Sequence, residues 1–299
     1  MNPDQLKVIA PQFDLQNADA YGRWRTQKLR AAAPPVMVDI ADPYHLSPAE
    51  HGALIAQARQ HNLAGFRFRT PPTDSQGALI AFGRALGLQR LDANLCAGEQ
   101  AISALTDLGD QPGRHYIPYT NRPLSWHTDG YYNTDDAQVC AWLLYCAQPA
   151  AEGGDNEVLD HDIAYIRLRD QDPALIAALS AAETFAIPPN EADGETLRPE
   201  QSGPVFGPAP GGQALHMRYT ARRRNIRWAD DAATTAARQA LDALFSAGDE
   251  HMYRKRLEAG EGLLSNNVLH MRHGFTDDPD PARRRLMYRA RYFDRIAGT

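Results

Sequence analysis

Apolar positions along this chain recur at first with helical spacing and later with the alternation of strands, and the change of period sketches its elements. Residues 1 to about 35 read as a polar arm carrying one helix around Tyr21 to Ala32, stopped by Pro34-Pro35 because proline disfavours helix in the residue before it. Ser47-Pro48-Ala49-Glu50 is a capping box with proline at the first helical position, and Leu54, Ile55 and Ala58 then supply an apolar stripe. Gly65 to Thr70 alternates apolar with basic residues as a half-buried strand does, before Pro71-Pro72 ends it. A further helix is expected from Ser75 to Gly87, with Leu79, Phe82 and Leu86 facing inward. The apolar run Val139 to Cys146 reads as a buried strand, because the turn at Glu152-Gly153-Gly154-Asp155 and the short Glu157-Val158-Leu159 follow it. Helices follow at Pro173 to Ala182 and Asp231 to Ser246, and strands resume at Gly262 to His270 and Leu286 to Phe293. Strands on both sides of the helical insertions predict one sheet-based domain spanning 1–299 that needs its C-terminal segment.

Charge and cysteine usage narrow the partners. A net charge of −6 gives no global basic field for nucleic acid or an anionic membrane, so a small-molecule partner is expected. Two arginine runs, Arg222 to Arg224 and Arg283 to Arg285, stand out against that acidic background. Three cysteines, Cys96, Cys140 and Cys146, form no CxxC pair, which fits a reduced cytoplasm better than a disulfide framework or a zinc knuckle. No leader pattern and no apolar stretch of about 20 residues marks export or a membrane span. A homo-oligomer is left open by the sequence.

The chemistry centres on Trp126-His127-Thr128-Asp129-Gly130. On an extended strand residues i and i+2 share a face, so His127 and Asp129 can reach one cation. Iron(II) takes imidazole and carboxylate ligands in a facial array that leaves positions for an organic chelator and dioxygen, which calls for one more histidine from a distant strand. Such a pair alone is common by chance. His216, His270 and His273 are the candidates to complete it, and along Leu264 to Phe275 only His270 shares the pleat parity of Val268, whereas His273 does not.

The stretch Tyr119 to Tyr132, with its Trp-His-Thr-Asp-Gly, resembles the corresponding segment of the taurine dioxygenase and γ-butyrobetaine hydroxylase superfamily, and Glu152-Gly153-Gly154-Asp155-Asn156 does so too. The distal pattern His270-x-Arg272-x-x-Phe275 followed by an arginine-rich strand is similar to that of the same families, and the Asn-Asn before it looks most like the glutarate 2-hydroxylase branch. Together these motifs cover roughly residues 115 to 295. The resemblance implies a mainly β fold with flanking helices around a double-stranded β-helix (jelly-roll, cupin-like) core, and an iron(II) dioxygenase that hydroxylates its substrate while dioxygen and 2-oxoglutarate are consumed to give succinate and CO2. It also implies His127, Asp129 and His270 as metal ligands, Arg285 on the distal carboxylate of 2-oxoglutarate and Arg289 on the proximal one. An alignment slid by one residue moves the first role to Arg284. Asn156 stands where many relatives carry threonine or serine beside the cosubstrate.

The primary substrate is less legible. Tyr119, Asn121, Tyr131, Tyr132 and Arg218 are candidate pocket residues, and the resemblance implies either a small carboxylate or amino-acid-like molecule or a trimethylammonium compound caged by aromatic rings. The arginines, including Arg122, favour an anion. Two other classes are open at this level: a zinc hydrolase using the same ligands, which leaves the arginine-rich strand without a task, and a metal-free jelly-roll binding module, which leaves the triad unexplained.

Overall fold

The computed structural model describes residues 9–30, 34–93, 100–109, 116–192, 195–222, 224 and 226–299, so Cys96, Arg223 and the expected helix end at Ala32 lie outside the described residues. The strand Ala141–Gln148 organises the architecture because it is buried on both faces. Ala141, Leu143 and Tyr145 pack with Ile40, Leu54, Phe66, Leu79 and Phe82 beneath two helices, whereas Trp142, Leu144 and Cys146 pack with Val158, Leu263, Val268 and Met287 in the interior between two sheets. A strand covered on both faces has no polar alternation, which explains the continuous apolar run in the sequence.

The larger sheet runs, in spatial order, Met37–Ile40, Leu63–Phe68, Glu261–Ser265, Ala141–Gln148, Leu286–Tyr292 and Ile102–Leu105. Only its first pair is parallel. The smaller sheet runs Tyr253–Lys255, Asn156–Leu159, Leu269–Arg272 and Leu124–His127, all antiparallel. The two sheets share an apolar interior and make the double-stranded β-helix. The expected single strand Gly262 to His270 is in fact two strands, Glu261–Ser265 and Leu269–Arg272, one in each sheet. The chain turns the corner at Asn266-Asn267, where Asn267 has φ 56°, a left-handed geometry that asparagine tolerates and that interrupts an extended ladder.

The helices bury the outer faces. Helix α1 (Ala18–Leu29) starts a turn earlier than its apolar spacing predicts because Asn17 caps it. Helix α2 (Pro48–His61) begins at the capping box, with the Ser47 and Glu50 side chains bonded reciprocally to backbone N–H groups. It packs with α3 (Ser75–Ala85) on the larger sheet. Helix α4 (His161–Gln171) gave no periodic signal: eight of its residues are buried, charged Asp162 and Arg169 among them, so no apolar stripe is set off against a polar one. Helices α5 (Pro173–Leu179) and α6 (Ala232–Ala247) complete this layer over the smaller sheet. The N-terminal segment is more than a polar arm, since Phe13 and Trp24 pack edge-to-face against each other and against Tyr165 of α4. No helix among the described residues is long and apolar enough to cross a membrane.

Candidate active site

Pleat parity places the two histidines. Trp126 and Leu269 join the outer core under the helices, so their neighbours His127 and His270, directly opposite each other in the register, point inward. Their ring centroids lie 4.2 Å apart, and Trp142 packs 4.9 Å from His270. Each histidine is oriented through Nδ1, that of His127 donating to the Ser125 carbonyl at 2.9 Å and that of His270 to the Val268 carbonyl at 3.0 Å. A carbonyl only accepts, so the proton sits on Nδ1 and the Nε2 lone pair is left for a metal. Burial, then the neighbouring His127, pushes His270 down to about 3, which keeps it neutral.

Asp129 reaches the same point by a different route from the one the pleat predicts. The strand ends at His127, and Asp129 sits in the turn that follows. Asn267 holds that turn: its side-chain oxygen accepts from the Asp129 N–H at 2.8 Å, and its amide donates to the carbonyls of Asp129 at 2.9 Å and Val139 at 2.7 Å. Gly130, at φ 67°, is required there, because a Cβ would meet Val139 Cγ2 at 2.4 Å. One ligand atom each from His127, Asp129 and His270 lie within 4.8 Å of one another. Burial works to raise the Asp129 carboxyl, but Arg289 and then His127 hold it well below the usual carboxylate range. Arg289 Nη1 donates to Oδ1 at 2.9 Å, while Oδ2 is buried with no hydrogen-bond partner among the described residues. A buried anionic oxygen left without a partner, beside two imidazoles whose Nδ1 atoms are bonded to carbonyls, fits a divalent cation.

A cavity opens inward from His270, lined by Leu105, Leu144, Asn156, Arg272, Arg285 and Arg289 among others. Arg285 is 3% exposed, whereas Arg284 is exposed. Arg272 lies opposite Asn156 in the register and is likewise buried. Its guanidinium and that of Arg285 each lie 4.9 Å from the Phe275 ring, and neither has an ion-pair partner among the described residues. Burial pushes Arg285 down to about 10, and burial with Arg285 as neighbour pushes Arg272 down to about 9. Two adjacent buried cations without a carboxylate are costly unless an anion joins them.

The remaining sequence candidates divide. Tyr131 and Tyr132 follow Asp129 in the chain and are in edge-to-face contact at 5.1 Å, with Tyr131 accepting from Arg222 and Tyr132 from Arg291. Tyr119 is buried in the interior core, and Asn121 is exposed, its carbonyl accepting from the Phe275 N–H. Arg218 corrects its expected pocket role: it donates to the carbonyls of Pro204, Tyr131, Gln201, Phe185 and Gly203, which uses its donors to tie loops together and leaves none for a ligand. His273 bonds Glu157 at 3.1 Å, and neither it nor His216 joins the cluster. Sequence reasoning missed Asn267, which acts on backbone atoms and carries no spacing signal. It also left Arg272 without a role, although the residue lies two positions, and so one pleat repeat, beyond His270.

A jelly roll with a buried two-histidine, one-carboxylate cluster beside a cationic cavity defines a class of non-haem metal oxygenases. Residues 25–291 match the model of the taurine catabolism dioxygenase TauD, TfdA family. A curated relative, the uridine-5′-phosphate dioxygenase of a Streptomyces species, is 32% identical over 202 residues, covering 64% of this chain and 69% of that protein. Among solved structures, the non-haem iron oxygenase OrfP in complex with Fe and α-ketoglutaric acid is similar with a TM-score of 0.59 and 18% identity, covering 98% of this chain and 93% of that one. Asparagine oxygenase gives 0.56 and 15% with 89% of each chain covered, and a taurine dioxygenase from Burkholderia xenovorans 0.57 and 16% with 87% and 89% covered. The chain belongs to the taurine catabolism dioxygenase TauD, TfdA family. It is a non-haem iron dioxygenase that uses 2-oxoglutarate and dioxygen, and the zinc hydrolase and the non-catalytic binding module drop out.

Proposed function

We propose that His127, Asp129 and His270 hold iron(II), that Arg285 takes the distal carboxylate of 2-oxoglutarate, and that the enzyme hydroxylates a small anionic molecule within one domain spanning the chain. The observation that carries this reading is the buried Oδ2 of Asp129, which has no hydrogen-bond partner among the described residues, in one cluster with His127 and His270. When bound, iron(II) with 2-oxoglutarate supplies the oxidising chemistry, one oxygen atom of dioxygen going to the substrate and the other to succinate as CO2 leaves. The protein's own groups prepare that step. The Nδ1 bonds of His127 and His270 fix ring orientation, and Asn267 fixes the turn that carries Asp129. Arg289 balances the Asp129 charge from the side of the cavity. Arg285 offers a planar fork to the far end of the cosubstrate, Asn156 a hydrogen-bonding side chain, and Trp142 and Leu144 keep bulk water away.

An anionic substrate is favoured over a trimethylammonium compound because Tyr131 and Tyr132 already face guanidinium groups, which would repel a caged cation. The relatives named above are described with uridine-5′-phosphate, asparagine and taurine, all of which carry an anionic group. The test is succinate formation from 2-oxoglutarate by protein reconstituted anaerobically with iron(II) and then exposed to dioxygen. About one iron per chain is expected, and alanine at His127, Asp129 or His270 should abolish turnover. Full activity in His270→Ala with loss in His216→Ala or His273→Ala would overturn the ligand assignment.

A further inference from the structure

Near the His127–Asp129–His270 cluster the chain carries cations that do not line the cavity of Arg272, Arg285 and Arg289. Thr220 pairs directly with His127 across an antiparallel bridge, and Ala221 N–H donates to the Trp126 carbonyl at 2.8 Å, so the segment ending in Arg222 runs along the metal-bearing strand. Thr220 is 2% exposed, and antiparallel pairing puts its side chain on the same face as His127. Two residues on, Arg222 Nη1 donates to the Tyr131 hydroxyl at 3.2 Å. Tyr131 touches Tyr132, and Arg198, at the C-terminal end of the hairpin strand Glu195–Arg198, lies 5.8 Å from the Tyr132 ring centre. Arg198 is held by the Pro188 carbonyl at 2.8 Å and the Pro199 carbonyl at 3.0 Å, so its position is fixed by the backbone.

Neither arginine has a carboxylate partner among the described residues, which sets them apart from their neighbours. Arg227 pairs with Glu200 and Arg291 with Asp92, while among the described residues the guanidinium groups of Arg198 and Arg222 meet carbonyls and tyrosines. Arg198 is half-buried, and burial pushes it below the usual arginine range. Two positioned guanidinium groups, one bonded to Tyr131 and one beside Tyr132, present two positive charges and several N–H donors next to the segment that pairs with His127. A phosphate monoester, with nearly two negative charges at neutral pH and three acceptor oxygens, matches that charge and donor count better than a single carboxylate.

We propose that Arg198 and Arg222 form the anion-binding end of the substrate pocket and take the phosphate of a phosphomonoester substrate, with the Tyr131–Tyr132 pair between them. This rests on the iron dioxygenase reading of the adjacent cluster. Binding is therefore tested apart from turnover, by calorimetric titration of metal-free protein with uridine 5′-monophosphate, uridine and glutarate. The nucleotide is expected to bind and uridine to bind far more weakly. Arg222→Ala and Arg198→Ala should each weaken nucleotide binding by about tenfold or more, with Arg222→Lys recovering part because it keeps the charge and loses the fork. The neighbouring, exposed Arg224→Ala is the control that should change nothing. Melting curves of each variant separate loss of the clamp from loss of fold. Nucleotide binding unaffected in both alanine variants, or glutarate bound more tightly than the nucleotide, would overturn the phosphate assignment. Absence of iron and 2-oxoglutarate binding in the unaltered protein would instead overturn the dioxygenase reading, so the two failures are distinguishable.

Discussion

At the scale of single residues, the site is held by groups whose worth depends on what they would leave unpaired. Arg285 is buried without an ion-pair partner among the described residues, and in the role proposed for it a charge-assisted grip on a buried carboxylate would be worth roughly 2–5 kcal/mol. Arg285→Ala should raise the KM for 2-oxoglutarate by about 30-fold or more, Arg285→Lys should recover part, and exposed Arg284→Ala should be nearly silent. A damaging Arg284→Ala with a mild Arg285→Ala would reverse the assignment. Asn267 acts one step further out, since its amide and carbonyl fix the Asp129 turn. Asn267→Gly keeps the left-handed backbone conformation at φ 56° but loses all three side-chain bonds. Iron(II) affinity, read by metal titration, should fall about 10- to 100-fold while the fold survives. The inward direction of His270 was legible in the sequence because parity is local. Asn267 was not, because it contacts the backbone of Asp129 and Val139, which lie far away in the chain and leave no trace in spacing.

Among elements, the sequence pattern succeeded where burial follows a clean apolar signal, a stripe or an unbroken run, and failed where buried polar residues are mixed into the buried face. Helix α2 announced itself by its capping box and stripe, and the strand Ala141–Gln148 by an unbroken apolar run. Helix α4 stayed hidden because its polar residues are buried with its apolar ones, and they serve to hold α1. Lys28 of α1 lies 2.7 Å from Asp160 and 2.8 Å from Asp162, with Asn62 donating to both carboxylates. Burial works to raise the Asp162 carboxyl, but Lys28 and then His161 outweigh it and hold it down to about 2. Lys28→Met would leave two buried carboxylates uncompensated and should cost about 3–5 kcal/mol in urea unfolding at neutral pH. The pH dependence has a definite sign. A carboxyl whose folded value lies below its unfolded value of about 3.9 contributes stability above that pH and loses it as the pH falls. The gap between the unaltered protein and Lys28→Met should therefore narrow from about pH 4 down to pH 2. An equal gap across that window would show that the network adds nothing beyond packing.

The whole molecule carries a net charge of −6 yet gathers Arg272 and Arg285, without ion-pair partners among the described residues, beside the His127–Asp129–His270 cluster, so its overall charge says little about the ligand that its site accepts. Its larger sheet pairs Leu63–Phe68 with Glu261–Ser265, and Ala141–Gln148 with Leu286–Tyr292, so strands from the first quarter and the last share one hydrogen-bonded ladder. Neither half of the chain completes that sheet alone, and a single cooperative unfolding transition is expected on heating. Ligands of the site should move that one transition, because they bind only the folded arrangement that brings His127, Asp129 and His270 together. Manganese(II) serves as the probe, since it takes the same ligand types as iron without air oxidation. With metal and then 2-oxoglutarate each at about 100 times its Kd, each step adds about 2.7 kcal/mol, or several degrees in a domain of this size. Asp129→Ala should abolish both increments. Arg285→Ala should keep the metal increment and lose most of the one from 2-oxoglutarate, since it removes a contact to the cosubstrate and none to the ion. Two separated transitions would show that the chain is not one cooperative unit, and a midpoint indifferent to manganese in the unaltered protein would remove the metal from the cluster.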